Sequence, residues 1–330
     1  MYENRWVDLD GQLDRDDPFT RVWWRTSIIC KRYRVRMNSL STAPYCSAFD
    51  PALNAQYREN LLNADKGPVP GAAARDCVVL MVRGLFGGWI PGHFRAPHRH
   101  LSSLGWTVQI AKTSPGGTLL ENSAALGPQI DRIIGDGRRP IFLAHSKGGI
   151  EVMMALAQNS ARTARTAGFV GVQVPRSGAP YLEHLFPNAN TRAEALTVRV
   201  KLNERLESWL LRVLGAGQAC AELNAANIKP LVAELNTVLA SIPALTVATS
   251  AQRMSNVLEL RSQHLARAFP GLPHDGVFLT QDQIWPQIRT LMLDGIDHAQ
   301  PSVGGLGFVH QHFWAALLAT LMSDCTSPPH

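Results

Sequence analysis

Three side chains have the types and the chain order that would let a hydroxyl attack a carbonyl carbon: Ser146, Asp275 and His298. A serine hydroxyl is a weak nucleophile at neutral pH. It becomes effective when an imidazole takes its proton and later returns it to the leaving group. A carboxylate then holds the imidazole tautomer and stabilises its cation. Ser146 has suitable surroundings. The apolar run 141–145 stops at it, and Lys147, Gly148 and Gly149 lead into a helix-like pattern ending near Gln158. A strand, a sharp turn at serine and a helix make a nucleophile elbow, whose strained turn leaves little room two positions to either side. Those positions hold Ala144 and Gly148. Capping of a helix by Ser146 is the other use of a serine at such a place.

His298 falls in the loop that follows a final strand over 289–295 and precedes a last helix over 308–322. His145 adjoins Ser146, but on a strand its side chain points to the opposite face. His274, His310 and His312 are rivals for the base. Asp275 stands in a turn just ahead of Gly276 and is the candidate acid. Asp294, Asp297 and, after an earlier strand, Glu183 compete with it, although immediate neighbours such as Asp297 and His298 rarely face one another. A glycine-rich stretch, 83–88, follows the apolar strand over 77–82. Its Leu85 N–H, paired with the Lys147 N–H at the head of the elbow helix, could hold a developing oxyanion. Such donors usually supply the largest single catalytic effect. An ordinary tight turn is the alternative for these glycines.

The elements that must position these groups alternate. Strands are expected over 77–82, 106–111, 141–145, 169–174, 245–249 and 289–295, with helices over 93–104, 122–134, 149–158 and 308–322. That rhythm predicts an α/β fold with a mainly parallel sheet and helices on both faces. Ligands in such sheets bind beyond the carboxyl ends of the strands, where Ser146 lies. The rhythm breaks over 181–243. Leu202, Leu206, Trp209, Leu210, Val213 and Leu214 recur at helical spacing, and a second helical pattern covers 228–240. This insertion reads as a helical cap or lid over an acyl pocket, with extra core helices as the alternative. The expected organisation is an N-terminal arm over 1–70, a core over 71–180 and 244–330, and the cap between its halves.

The arm opens acidic, with Asp8, Asp10, Asp14, Asp16 and Asp17, and turns basic and aromatic, with Arg21, Arg25, Trp23, Trp24 and Tyr33 among others. Pairing of the two halves, with the tryptophans packed on the main domain, is the favoured reading; contact with a membrane surface or polyanion is the alternative. A helix is expected over 52–63 and a linker over 66–71. The net charge of +6 comes without a long Lys/Arg run, which argues against nucleic acid. The five cysteines show no metal-ligand spacing, so a reducing compartment is expected, although a Cys30–Cys46 disulfide is compatible with the sequence. No apolar run is long enough to span a bilayer, and the acidic start is unlike a secretory signal, so a cytoplasmic location is expected.

In these pieces the chain resembles the α/β-hydrolase superfamily and, within it, bacterial triacylglycerol lipases and related esterases. The resemblance rests on 83–87, 144–149, 177–180, 274–277 and 297–299, and spans roughly 77–322. It implies catalytic Ser146, Asp275 and His298, oxyanion donors at Leu85 and Lys147, a small-molecule or lipid ester as substrate, and no cofactor. Three departures stand out. Arg83 replaces the His that usually precedes the oxyanion Gly, Ala144 replaces the first elbow Gly, and Gln300 stands where many such lipases hold a structural calcium through Asp. Ester hydrolysis through an acyl-enzyme is the implied reaction. Acyl transfer or thioester hydrolysis with the same triad is one alternative; a non-catalytic scaffold binding a hydrophobic ligand or a membrane is another. The oligomeric state is not legible.

Overall fold

The computed structural model describes residues 50–66, 75–186 and 202–324. The expected acidic and basic–aromatic stretches, the Cys30–Cys46 pair and most of the linker over 66–71 lie outside the described residues. Helix α1 (Pro51–Leu62) starts where the Asp50 carboxylate accepts the N–H groups of Ala52 and Leu53, and Pro51 occupies a first-turn position that needs no donor.

Strands β1 (Cys77–Val82), β2 (Val108–Ile110), β3 (Arg139–His145), β4 (Gly168–Val172), β5 (Ala244–Ser250) and β6 (Arg289–Asp294) form one sheet in the order β2-β1-β3-β4-β5-β6. Every neighbouring pair is parallel. All residues of β1 and β4 are buried, as unbroken apolar runs require in a sheet covered on both faces. After β1 the chain steps outward to β2. It then returns to lay β3 on the other side of β1. The crevice beyond β1 and β3 is thus the switch point of the sheet, where such folds place ligands. The glycine-rich loop leaves β1 there, and Ser146 leaves β3 there.

Side chains alternate between two layers. Val78, Leu80 and Val82 of β1 share one core with α3 (Leu119–Gly135) and α4 (Lys147–Ala157); Cys77, Val79 and Met81 face a second core with α1, α2 (Arg95–Ser103) and the C-terminal helix His310–Asp324. Of the arm read over 1–70, helix α1 therefore belongs to the core: Leu53 and Tyr57 are buried, the Tyr57 ring meets Phe313 edge-on at 6.3 Å, and Asn60 Nδ2 donates to Thr320 Oγ1 at 3.0 Å. Helix α5 (Ser160–Arg165) precedes β4, and beyond β4 the described chain continues as α6 (Pro180–Leu185), α7 (Leu202–Val213), α8 (Gly217–Glu222), α9 (Ala225–Ile228) and α10 (Val232–Ala240). The stretch expected as a two-helix cap is thus divided more finely. Leu235, Val238 and Leu239 of α10 are buried in the same core as α4, whereas α7 leaves Leu206, Trp209, Leu210 and Val213 exposed. Helices α11 (Glu259–Ala268), α12 (Gln300–Val303) and α13 (His310–Asp324) complete the order.

Strand β4 ends at Val172 rather than Val174, because Gln173 adopts φ 55° and leaves the ladder. The turn at Ser146 is more demanding, with φ 55° and ψ −132°. Such a conformation costs a non-glycine residue on the order of 1–3 kcal/mol and persists only where its surroundings over-determine it. Ser146 N–H donates to Val172 O at 2.8 Å, and Gly149 N–H donates to Ser146 O at 2.9 Å. Two glycines let the elbow close. A Cβ on Gly148 would stand 2.4 Å from the Arg83 carbonyl oxygen, and one on Gly149 would stand 2.3 Å from Val174 Cγ2. A methyl group at 148 meets backbone, which cannot rotate away. Overpacking of about 1–3 kcal/mol should exceed the roughly 1 kcal/mol that alanine gains over glycine in a helix. Gly148→Ala is expected to lower the unfolding free energy in urea by about 1–2 kcal/mol, and unchanged stability would refute this packing argument.

Candidate active site

The loop before Val277 is closed by its own carboxylate. Asp275 Oδ1 accepts the N–H groups of Val277 at 2.8 Å and Phe278 at 2.7 Å, an Asx-type turn that fixes the side chain. Its Oδ2 then lies 2.8 Å from His298 Nδ1. The two segments are also joined by backbone, His298 N–H to Asp275 O at 2.9 Å. A carboxylate can only accept, so Nδ1 carries the proton and Nε2 presents its lone pair. That lone pair faces Ser146 Oγ at 3.0 Å. Asp275 is fully buried and the His298 side chain is 14% exposed, so the carboxylate is shielded while the imidazole can still be reached. Phe278 meets the imidazole edge-on at 4.9 Å between centroids.

Gly84 presses on the elbow, since a Cβ there would stand 2.9 Å from Ser146 Cβ. The loop is held by Phe86 N–H to Pro115 O at 2.9 Å and Gly87 N–H to Gly84 O at 3.1 Å. Neither the Leu85 nor the Lys147 N–H has a protein acceptor among the described residues. Lys147 is the first residue of α4, so its N–H sits at the positive end of the helix dipole.

Several of the rival residues have other partners. Asp297 accepts Ala299 and Gln300 N–H groups on Oδ1 and both the N–H and hydroxyl of Ser255 on Oδ2, bracing the loop that carries His298. Asp294 accepts the Ser250 hydroxyl, His312 pairs with Asp65 at 2.8 Å, and Glu183 in α6 makes no hydrogen bond with His298. His274 is half-buried, which lowers its pKa. Gln300 does not fit a calcium site: its Oε1 already accepts Asp297 N–H at 2.7 Å and its Nε2 donates to Gly305 O, whereas calcium needs six or more oxygens. Among the described residues no group of three His, Cys, Asp or Glu side chains could hold a metal.

One positioning residue carried no signal in the sequence. The buried Gln173 donates its amide to Thr249 Oγ1 at 2.6 Å and Asp297 O at 3.0 Å, and its Oε1 accepts from His145 Nε2 at 2.9 Å. It ties the end of β4 to β5 and to the His298 loop. This partner fixes the tautomer of His145, whose Nδ1 accepts the Ser302 hydroxyl at 3.0 Å. The His145 ring lies 4.8 Å from that of His298, and its two nitrogens are taken by Gln173 and Ser302 rather than by Ser146 Oγ.

His145 belongs to a group of buried neutral imidazoles. Burial, and then the charges of His298 and His93, hold the His145 pKa well below its ordinary value. Burial and then the Arg83 charge lower His93 to about 3, and burial lowers His310 to about 4. Each binds fewer protons folded than unfolded between its folded value and the ordinary histidine value. Stability is therefore full above roughly pH 6.5 and falls as pH drops below it. Urea melts at pH 7, 6 and 5 should show this decline, at most about 1.4 kcal/mol per pH unit for each ring, and His93→Leu should flatten it. A pH-independent midpoint across that range would contradict the assignment.

No protein-family model matches the chain, and no curated protein does. Solved structures do. A metagenomic carboxyl esterase aligns with a TM-score of 0.61 at 20% identity over 78% of this chain and 79% of its own. The mature lipase BlEst2 of Bacillus licheniformis aligns at 0.54 and 19% over 73% and 92%. Phospholipase PlaB from Legionella pneumophila aligns at 0.51 and 11% over 74% and 60%. Identities this low speak for architecture rather than chemistry. On its parallel sheet, its flanking helices and these likenesses, the chain has the α/β-hydrolase fold, built like that of esterases and lipases.

Proposed function

We propose that this chain is a serine hydrolase that cleaves carboxylic esters through an acyl-enzyme. The observation that carries this reading is the single imidazole of His298, hydrogen-bonded to Asp275 on one nitrogen and to Ser146 Oγ on the other. In the proposed mechanism Ser146 attacks the ester carbonyl while His298 Nε2 takes its proton. The N–H groups of Leu85 and Lys147 hold the oxyanion of the tetrahedral intermediate. Asp275 holds the tautomer and the imidazolium. His298 then protonates the departing alcohol, and a water activated by the same nitrogen releases the acid. The fit of Arg83 O against Gly148, and of Gly84 against Ser146, supports a preorganised pair of donors.

The same reading makes 181–243 a cap toward a small-molecule or lipid ester. The exposed apolar side chains of α7 support it, because a helix with no substrate or interface to meet gains nothing by exposing Trp209 and Leu210.

Replacing Ser146 with Ala should lower turnover of p-nitrophenyl butyrate by roughly 10⁴-fold or more, and Asp275→Asn, which lets the wrong tautomer form, by a comparable factor. Undiminished turnover by the Ser146 variant would end the proposal. Leu206→Ser combined with Trp209→Ser should reduce hydrolysis of emulsified long-chain esters several-fold while sparing the soluble butyrate. Equal effects on both substrates would remove the cap from the mechanism.

A further inference from the structure

Beneath the elbow lies a charged pair that the acyl chemistry does not itself require. Lys147 is 1% exposed although it follows the nucleophile directly. Its ammonium donates to the Glu151 carboxylate one turn along α4 and to Gly117 O at 2.8 Å. Glu151 Oε1 also accepts from Asn122 Nδ2 at 2.7 Å, while its Oε2 is buried without a partner. Asn122 grips the backbone of Ser114 from both sides, its Oδ1 accepting Ser114 N–H at 2.8 Å and its Nδ2 donating to Ser114 O at 3.0 Å. The next residue, Pro115, accepts the Phe86 N–H at 2.9 Å. Its ring also fills the space above Gly88, where a Cβ would stand 2.5 Å from Pro115 Cγ.

These contacts form a continuous path. It begins at Lys147 and passes through Glu151, Asn122 and the Ser114–Pro115 backbone to Phe86, whose neighbour is Leu85. The path therefore runs from one proposed oxyanion donor, Lys147, to the residue beside the other, Leu85. Stability alone does not account for such a pair. Desolvating two charges costs several kcal/mol per ion, and well-packed apolar residues often serve as well or better. Geometry does account for it, because an ion pair with directed hydrogen bonds sets distances that apolar packing leaves loose.

We infer that Lys147, Glu151 and Asn122 are positioning residues that hold the Leu85 and Lys147 N–H groups at the spacing an oxyanion needs. This rests on the proposed acyl-enzyme mechanism and deepens it. The lysine side chain acts only through the backbone it anchors and touches no substrate atom.

Two variants test the assignment. Lys147→Met with Glu151→Leu removes both charges together and keeps the backbone N–H at 147. Asn122→Ala cuts the path elsewhere and strands no unpaired charge. In each, kcat for p-nitrophenyl butyrate should fall about 10- to 100-fold with KM within threefold, because a misplaced donor weakens only the transition state. Affinity for a trifluoromethyl ketone, which binds as a tetrahedral oxyanion adduct, should fall by the same factor. A purely structural role would lower the melting midpoint without this matched loss. Either variant, folded by near-ultraviolet circular dichroism and within threefold of wild type in both kcat and ketone affinity, would overturn the inference. If the double variant does not fold, Asn122→Ala decides alone. Failure of the underlying mechanism is distinguishable: Ser146→Ala would then keep its turnover, whereas failure of the positioning role leaves Ser146→Ala inactive and the positioning variants active.

Discussion

Ser146 occupies a backbone state, φ 55° and ψ −132°, that an L-residue does not choose freely. The surrounding structure is arranged to keep it there. Parallel pairing of β3 and β4 puts Val172 O where it accepts the Ser146 N–H, and the absence of side chains at 148 and 149 lets α4 descend onto the Arg83 carbonyl and Val174. The glycine-rich loop after β1 and the elbow are consequently one packed unit, since moving β3 toward β1 would drive Gly148 into Arg83 O. The sheet's switch point lies between these same strands, which is why the loop and Ser146 share a crevice.

A second arrangement holds His298. The loop around His298 has no regular structure to stiffen it before α12 begins, so polar contacts do the work. Asp297 binds Ser255 and the start of α12, Gln173 binds Asp297 O, and Gln300 returns to Asp297 N–H. With the backbone anchored on three sides, the imidazole needs only Asp275 to fix its rotation. Most of these contacts are buried and satisfied, the condition under which polar networks specify one geometry instead of destabilising the core.

The arm and the insertion show how one continuous segment divides between layers. Helix α1 lies far in sequence from α13, yet the two share Tyr57, Phe313 and the Asn60–Thr320 hydrogen bond. Helix α10 covers the elbow helix, while α7 buries Leu211 but turns Leu206, Trp209, Leu210 and Val213 outward, and is tied down through Glu207, which accepts from Tyr181 and pairs with Arg261. Hydrophobic periodicity reports that a helix has an apolar face but not what that face meets, so 181–243 looked uniform before folding.

Local chemistry was legible from the amino acids alone. The six strands and the glycines around the elbow follow from apolar runs and turn residues, set by near neighbours in the chain, and the candidate order Ser146, Asp275, His298 was read from residue type and position among them. Only the tertiary structure decided which carboxylate reaches His298 and which histidine stays neutral. Asp275, Asp294 and Asp297 are equivalent as residue types, and their places in the fold make one the partner of His298 and give the others to Ser250 and Ser255. The roles of Gln173 and of the buried Lys147–Glu151 pair were invisible for the same reason. A polar side chain in an apolar stretch is a cost until its partners, contributed by distant segments, arrive to satisfy it.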